Sequence, residues 1–252
     1  MEDGSAIADQ PVVHGGSSIE SPASASYEEG TMEEMTWWEA LPSGWEQYLL
    51  WVMCLLVFRV TLTFLRLSNA KYKPNQKKPC TAMFVLGSGG HTMEMFRLLT
   101  NLNHLLYSPR IYVHASNDQL SATKAIQFEG RRKDYTLVPI SRIRKIHQSL
   151  LTVPFTAVRP FVEAPFILFW YRPDVLVANG PGTCIPLILW SFIFAVFCLK
   201  KPVIVYVESF CRVQTLSLTA KLTRPFVDRL IVQWRTLHEK YKKSTRYYGL
   251  LV

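Results

Sequence analysis

The residues best suited to chemistry lie in a short run, Gly87-Ser88-Gly89-Gly90-His91-Thr92, directly after an apolar stretch of strand length. Gly87, Gly89 and Gly90 lack a β-carbon, so this turn is free to take positive φ and to point backbone N–H groups outward. A helix starting near Thr92 adds its own unpaired N–H groups and dipole, and together these favour an anion, typically phosphate. The run is no P-loop, because no Gly-Lys-Ser/Thr follows. It is no full dinucleotide fingerprint either, because Thr92 stands where the third glycine belongs. No Asp or Glu sits about 20 residues on to hold a ribose; Asp118 is further away and suits a helix cap. His91 stands at the mouth of the loop, where an imidazole can donate to a phosphate, act as a base or cap the structure.

Two more turns carry polar groups at strand ends. Asn179, Gly180 and Gly182 close the apolar run 174–179, and Thr183 is placed to cap the next helix or to meet a ligand. Glu208, Ser209 and Arg212 follow the run 202–208. Glu208 can orient His91 or accept a sugar hydroxyl, while Arg212 can pair with phosphate or with Glu208. Three turns on one sheet edge are more specific than any one of them, because open α/β folds bind ligands there.

The elements that must hold these turns alternate. Apolar runs at 81–86, 110–115, 135–140, 174–179, 202–208 and 228–234 are separated by helix-length segments at 92–106, 118–129, 150–171, 183–199 and 215–222. Continuous apolar strands alternating with helices predict a parallel sheet covered on both faces, a single Rossmann-like α/β domain over residues 80–252. The segment 184–199, with 14 apolar positions of 16, must be buried or in lipid, and is too short to span. The segment 150–172 carries Pro154, Pro160 and Pro165. It predicts short broken helices that either rest on anionic headgroups, with Arg142, Arg144, Lys145 and Arg159 nearby, or form a lid over the core.

The 252 residues split by charge. Residues 1–46 hold ten acidic residues and no Lys or Arg, so the net charge of +9 leaves +19 on the remainder. Residues 1–44 read as a disordered acidic tail and 68–79 as a basic linker. Between them, 45–67 reads as a transmembrane helix: 16 of the 20 positions from Tyr48 to Leu67 are apolar, a length of about 30 Å. Arg59 is expected to snorkel, with Trp45 and Trp51 at the interface. Carboxylates precede this span and Arg66, Lys71, Lys73, Lys77 and Lys78 follow it, which places the domain in the cytosol. Five cysteines without a Cys-x-x-Cys pair support neither a disulfide framework nor a zinc ribbon. No Asp-x-Asp cluster is present, and neither a metal nor a cofactor is expected. At roughly 100–200 residues per domain, the chain has room for one full domain, so any two-domain function must borrow the second. Nucleic-acid binding ranks last, because the basic residues flank apolar helices.

The segments GSGGHT, NGPGTC, YVESFCRV and VQW with the following LHEKY, spread over residues 80–252, resemble the protein-fourteen family of asparagine-linked glycosylation, the membrane subunits of its bipartite UDP-N-acetylglucosamine transferase. A similar glycine turn followed by His occurs in bacterial enzymes of lipid-linked peptidoglycan synthesis, fused there to a second Rossmann domain. The resemblance implies the amino-terminal, acceptor-side half of a split GT-B glycosyltransferase, anchored to the endoplasmic reticulum and inactive alone. The soluble partner, protein thirteen of the pathway, would hold most of the UDP-N-acetylglucosamine. Together they would join the second N-acetylglucosamine to dolichol-diphosphate-N-acetylglucosamine on the cytosolic face, with inversion. Carried over by the match, Ser88, Gly89, Gly90, His91 and Thr92 form the first turn, Asn179, Gly180, Gly182 and Thr183 the second, and Glu208 and Ser209 the third. His91 is the first choice of base and Glu208 the second. The terminal segment Tyr248-Gly249-Leu250-Leu251-Val252 resembles the family's partner-docking end, and it also reads as a last strand. The alternatives are a stand-alone membrane enzyme or lipid-phosphate binding protein, and a purely recruiting scaffold.

Overall fold

The computed structural model describes residues 44–69, 78–143 and 153–252. The acidic tail, most of the basic linker, and Arg144 and Lys145 of the expected basic surface lie outside the described residues.

Seven strands make one sheet: β1 (Cys80–Val85), β2 (Tyr107–Ala115), β3 (Tyr135–Ile140), β4 (Val175–Asn179), β5 (Val203–Val207), β6 (Arg229–Val232) and β7 (Arg246–Tyr247). Their order is β3-β2-β1-β4-β5-β6-β7, with every neighbouring pair parallel. This is the Rossmann order with one short edge strand added. Six strands coincide with the apolar runs of the sequence. The seventh, two residues long, is too short to carry a period, and the terminal residues 248–252, expected as a last strand, do not pair.

Alternate side chains of β1 and β2 feed two cores. Met83, Val85, Ile111 and Val113 join Leu168, Leu187 and Ile188 on one face, whereas Ala82, Phe84 and Tyr112 join Met95, Phe96 and Ala125 on the other. The first core is covered by α4 (Val153–Tyr171), α5 (Cys184–Val196) and α6 (Leu218–Thr223), the second by α2 (Gly90–Leu99) and α3 (Gln119–Glu129). A last short helix, α7 (Arg235–Lys240), lies within the LHEKY region and was not foreseen. Buried Arg110 bonds Glu129 at the end of α3 and Asp134 before β3. That tie holds α3, whose opposite end meets the first glycine turn.

The expected broken helices of 150–172 form instead one continuous α4 of 19 residues, running through Pro160 and Pro165. A proline inside a helix leaves the carbonyl four residues back without its donor. For Pro165 that carbonyl is Phe161 O, and the indole Nε1 of Trp190 on α5 donates to it at 2.7 Å. The neighbouring helix thus repairs the break.

Helix α1 (Trp45–Asn69) contains, in Trp45–Arg66, the one segment among the described residues long and apolar enough to cross a membrane. Its residues from Trp45 to Phe58 are exposed. Further on, Thr63 is buried and the Phe64 ring lies 4.7 Å from that of Phe192 on α5. Arg59 is held by backbone carbonyls of α5. Its Nε donates to Val196 O at 3.1 Å and its Nη2 to Ala195 O at 3.2 Å, so the cation sits at the negative end of the α5 dipole. The C-terminus of α5 is closed on its other side by a backbone motif, with Leu199 N bonded to Phe194 O and Cys198 N to Ala195 O. Arg59→Leu removes both side-chain bonds and should cost about 2–3 kcal/mol, read as a lowered unfolding midpoint in detergent, with Arg59→Lys intermediate; a midpoint unchanged in Arg59→Leu would show that the contact contributes nothing.

Candidate functional site

Sequence order reverses at β1, which has β2 on one side and β4 on the other. At such a switch point the turns leaving the two strands diverge and open a crevice. The pairing Val85↔Ala178 brings the end of β1 level with the end of β4, and Ala178↔Tyr206 does the same for β4 and β5. All three polar turns therefore emerge on one edge, as expected.

The first turn is built from within. Thr92 is fully buried, and its hydroxyl bonds the Gly87 carbonyl and, at 2.7 Å, Ser121 Oγ. Ser121 Oγ also donates to Gly87 O at 3.0 Å, and Asp118 caps α3 by accepting from Ser121 N at 3.1 Å. Thr92 thus fastens the loop and its hydroxyl does not line the cleft. Gly89 occupies the cap position of α2 with φ +65°, where only glycine is free of strain. No side chain caps the helix there, so the leading N–H groups of α2 stay available to an anion.

The second turn fits around His91. Gly180 has φ +71°, and a β-carbon there would lie 2.5 Å from His91 Cε1 and 2.7 Å from Nδ1. A β-carbon on Gly87 would meet His91 Cβ at 2.6 Å. The imidazole is thus held between two bare backbones. Thr183 takes the cap position of α5, but its hydroxyl makes no cap bond; Cys184 N and Sγ bond Pro181 O instead. Gly182 has open space around it.

The third turn closes the site. Glu208 is fully buried, with Oε1 accepting from Ser209 N at 3.1 Å and Oε2 from Ser217 N at 2.9 Å. Burial pushes its carboxyl above the usual range, opposed by those hydrogen bonds and by the charge of Arg212. Its hydrogen bonds reach the backbone of its own loop rather than His91. Arg212 is exposed and makes no ion pair with Glu208 among the described residues.

The carboxylate beside His91 is one that the sequence reading passed over. Glu94 Oε2 lies 3.9 Å from His91 Nδ1 and accepts from Asn179 Nδ2 at 3.0 Å, while Oε1 accepts from Ser209 Oγ at 2.9 Å. One side chain on α2 joins all three turns. The signal was the three-residue spacing from His91, which puts both on one helix face. Among the described residues, two buried polar atoms in this cluster, His91 Nδ1 and Asn179 Oδ1, have no hydrogen-bond partner.

The resulting cleft, about 470 Å³, is lined by Gly90, His91, Glu94, Gly180, Glu208, Ser209, Cys211, Arg212 and Ser217 to Thr219. Of the residues singled out from sequence, it gathers Gly90, His91, Gly180, Glu208, Ser209 and Arg212. Gly87, Thr92 and Asn179 lie behind it, Ser88 and Gly89 are exposed, and Gly182 and Thr183 do not line it. Tyr248 to Val252 lie apart from the cleft, yet Leu251 N donates to Gln233 Oε1 at 3.3 Å and Gln233 Nε2 to Glu208 O at 3.0 Å. One buried glutamine joins the chain end to the site.

Fold and site together define a Rossmann-like α/β domain with an anion-suited cleft at its switch point, carried behind a helix fit to cross a membrane. The family model described as "Oligosaccharide biosynthesis protein Alg14 like" matches residues 82–251. The chain belongs to this Alg14 family, as the motifs implied. It is 39% identical over 208 residues to the UDP-N-acetylglucosamine transferase subunit alg14 of Schizosaccharomyces pombe, covering 80% of this chain and 98% of that protein. It is 40% identical over 185 residues to the Homo sapiens subunit ALG14, covering 70% and 85%. Among solved structures, MurG of Acinetobacter baumannii aligns with a TM-score of 0.48 at 14% identity, over 68% of this chain and 45% of that one.

Gly180→Ala forces a left-handed residue and a clash with the imidazole, and should destabilise the domain by about 1–2 kcal/mol or more. Gly182→Ala, with open space around it, should stay within about 0.5 kcal/mol. Thermal unfolding of both variants checks this; equal effects would contradict the packing of His91 against Gly180.

Proposed function

We propose that this chain is the membrane-anchoring, acceptor-side subunit of a heteromeric UDP-N-acetylglucosamine transferase that acts on dolichol-diphosphate-N-acetylglucosamine. It recruits a soluble catalytic partner, protein thirteen of the pathway, to the cytosolic face of the endoplasmic reticulum for the second step of lipid-linked oligosaccharide synthesis. The observation that carries this reading is the cleft at the switch point, where a bare helix N-terminus, His91 and Arg212 surround one space. Membership of the Alg14 family supports it, and the Schizosaccharomyces pombe and Homo sapiens relatives are named as transferase subunits. The apolar exposed stretch of α1 suits an enzyme whose acceptor never leaves the bilayer.

In this reading the acceptor diphosphate rests against the N-terminus of α2, with Arg212 as counter-charge. The acceptor hydroxyl oxygen bonds the anomeric carbon of the donor sugar from the face opposite UDP. The bond from that carbon to the diphosphate oxygen breaks, and UDP leaves with the electron pair. The proton of the attacking hydroxyl passes to His91. Glu208 holds the loop, since both its oxygens already accept backbone N–H groups. The described residues form one Rossmann-like domain, and in this reading the nucleotide-sugar half of a GT-B site comes from the partner. The exposed residues Tyr248 and Leu250 and the segment through Val252 offer an apolar docking end for it.

The test is reconstitution in vesicles. The chain alone should transfer no N-acetylglucosamine, and adding the soluble partner should give transfer that His91→Ala lowers by about 10²- to 10⁴-fold. Transfer by the purified chain alone would sink the split-site reading, as would full activity of the His91 variant for the base.

A further inference from the structure

Glu94 is 14% exposed, and among the described residues its one ion-pair contact is His91. A carboxylate so far out of water is stabilised here by two neutral donors, Asn179 Nδ2 and Ser209 Oγ, which leaves its charge uncompensated. Facing it, His91 Nδ1 is buried and, among the described residues, without a hydrogen-bond partner. The two atoms are 3.9 Å apart, about 1 Å beyond a hydrogen bond. The glycine at 180 leaves the ring flanked by backbone alone on that side. Catalytic hydrogen bonds are often long in the free protein and close in the loaded complex. Among the described residues, the other titratable or charged groups that line the cleft with His91 are Glu208 at the end of β5, with both oxygens engaged by Ser209 and Ser217, and Cys211 and Arg212 on the same loop. The residues of β4's turn and of the start of α6 that face it, Gly180, Ser217, Leu218 and Thr219, carry no charge.

We infer that Glu94 is the positioning residue of the transfer reaction. Resting on the reading of His91 as base, its Oε2 accepts the Nδ1 proton of His91 in the loaded complex. That bond fixes the tautomer with Nε2 free to take the acceptor proton, and the carboxylate stabilises the imidazolium formed when it does. Glu94 itself takes no proton. Because the same carboxylate bonds Asn179 and Ser209, all three turns must be in place before the base is aligned.

Glu94→Gln separates charge from scaffold. The amide has nearly the same size, can still accept from Asn179 and can donate to Ser209 Oγ, so the ties between turns survive. In the reconstituted complex of full-length chain and partner, kcat should fall about 100-fold or more, with KM for donor and acceptor within about twofold. The acid limb of the kcat profile should move to lower pH, and unfolding midpoint and complex yield should stay unchanged. The double variant His91→Gln/Glu94→Gln should be no slower than His91→Gln alone, because the two act as a unit. Near-normal kcat in Glu94→Gln, with His91→Gln inactive, overturns this inference and leaves the base reading standing. A loss confined to KM, or one matched by a lowered unfolding midpoint, overturns it too, in favour of a binding or structural part. Full activity of His91→Gln overturns the base reading and this inference together.

Discussion

Parallel pairing of β1 with both β2 and β4 is the constraint on which the rest of the molecule depends. It places every strand's carboxyl end on one edge, and the reversal of order at β1 parts the turns there by enough to admit a ligand. The sheet alone would leave three loops free to move independently. What joins them is a single carboxylate on α2, bonded across to the ends of β4 and β5. A fold-level feature makes the crevice, and one polar contact gives it a fixed shape.

Two regions far from the cleft serve it indirectly. The Arg110 network anchors the far end of α3, so that Ser121 at the near end can clamp Gly87 O. On the opposite face, Arg59 of α1 closes the C-terminus of α5, whose N-terminus follows the Gly180 turn. The segment suited to lipid is thereby linked through one helix to the turn that packs on His91. Under the proposed function, this linkage ties the segment suited to the bilayer to the cleft that receives the acceptor's polar head.

Much of this was legible in the sequence. Six strands, the glycine turns and the membrane-length helix each carry local signals: apolar runs, missing β-carbons and an uninterrupted apolar stretch. The features that were misread depend on contacts distant in the chain. The prolines of α4 read as breaks because the donor that repairs one of them, Trp190, comes from another helix. Arg59 gives no local sign of its carbonyl partners, which lie more than 130 residues away. Thr92 reads as a ligand contact by type, yet its hydroxyl is turned inward onto Ser121, 29 residues on in the chain. Glu94 gave only its spacing from His91, and its partners on two other strands were invisible to any local rule. The strand β7 and the helix α7 are too short for periodicity to announce them.

In the proposed function the cleft at the switch point receives the lipid diphosphate, and His91 faces the attacking hydroxyl. A structure of the assembled complex in a lipid nanodisc, with a dolichol-diphosphate-N-acetylglucosamine acceptor bound, measures this directly. The diphosphate should lie at the N-terminus of α2 and the acceptor hydroxyl within about 2.6–3.2 Å of His91 Nε2. An acceptor seated away from the three turns, with the cleft filled by the nucleotide or empty, would contradict it.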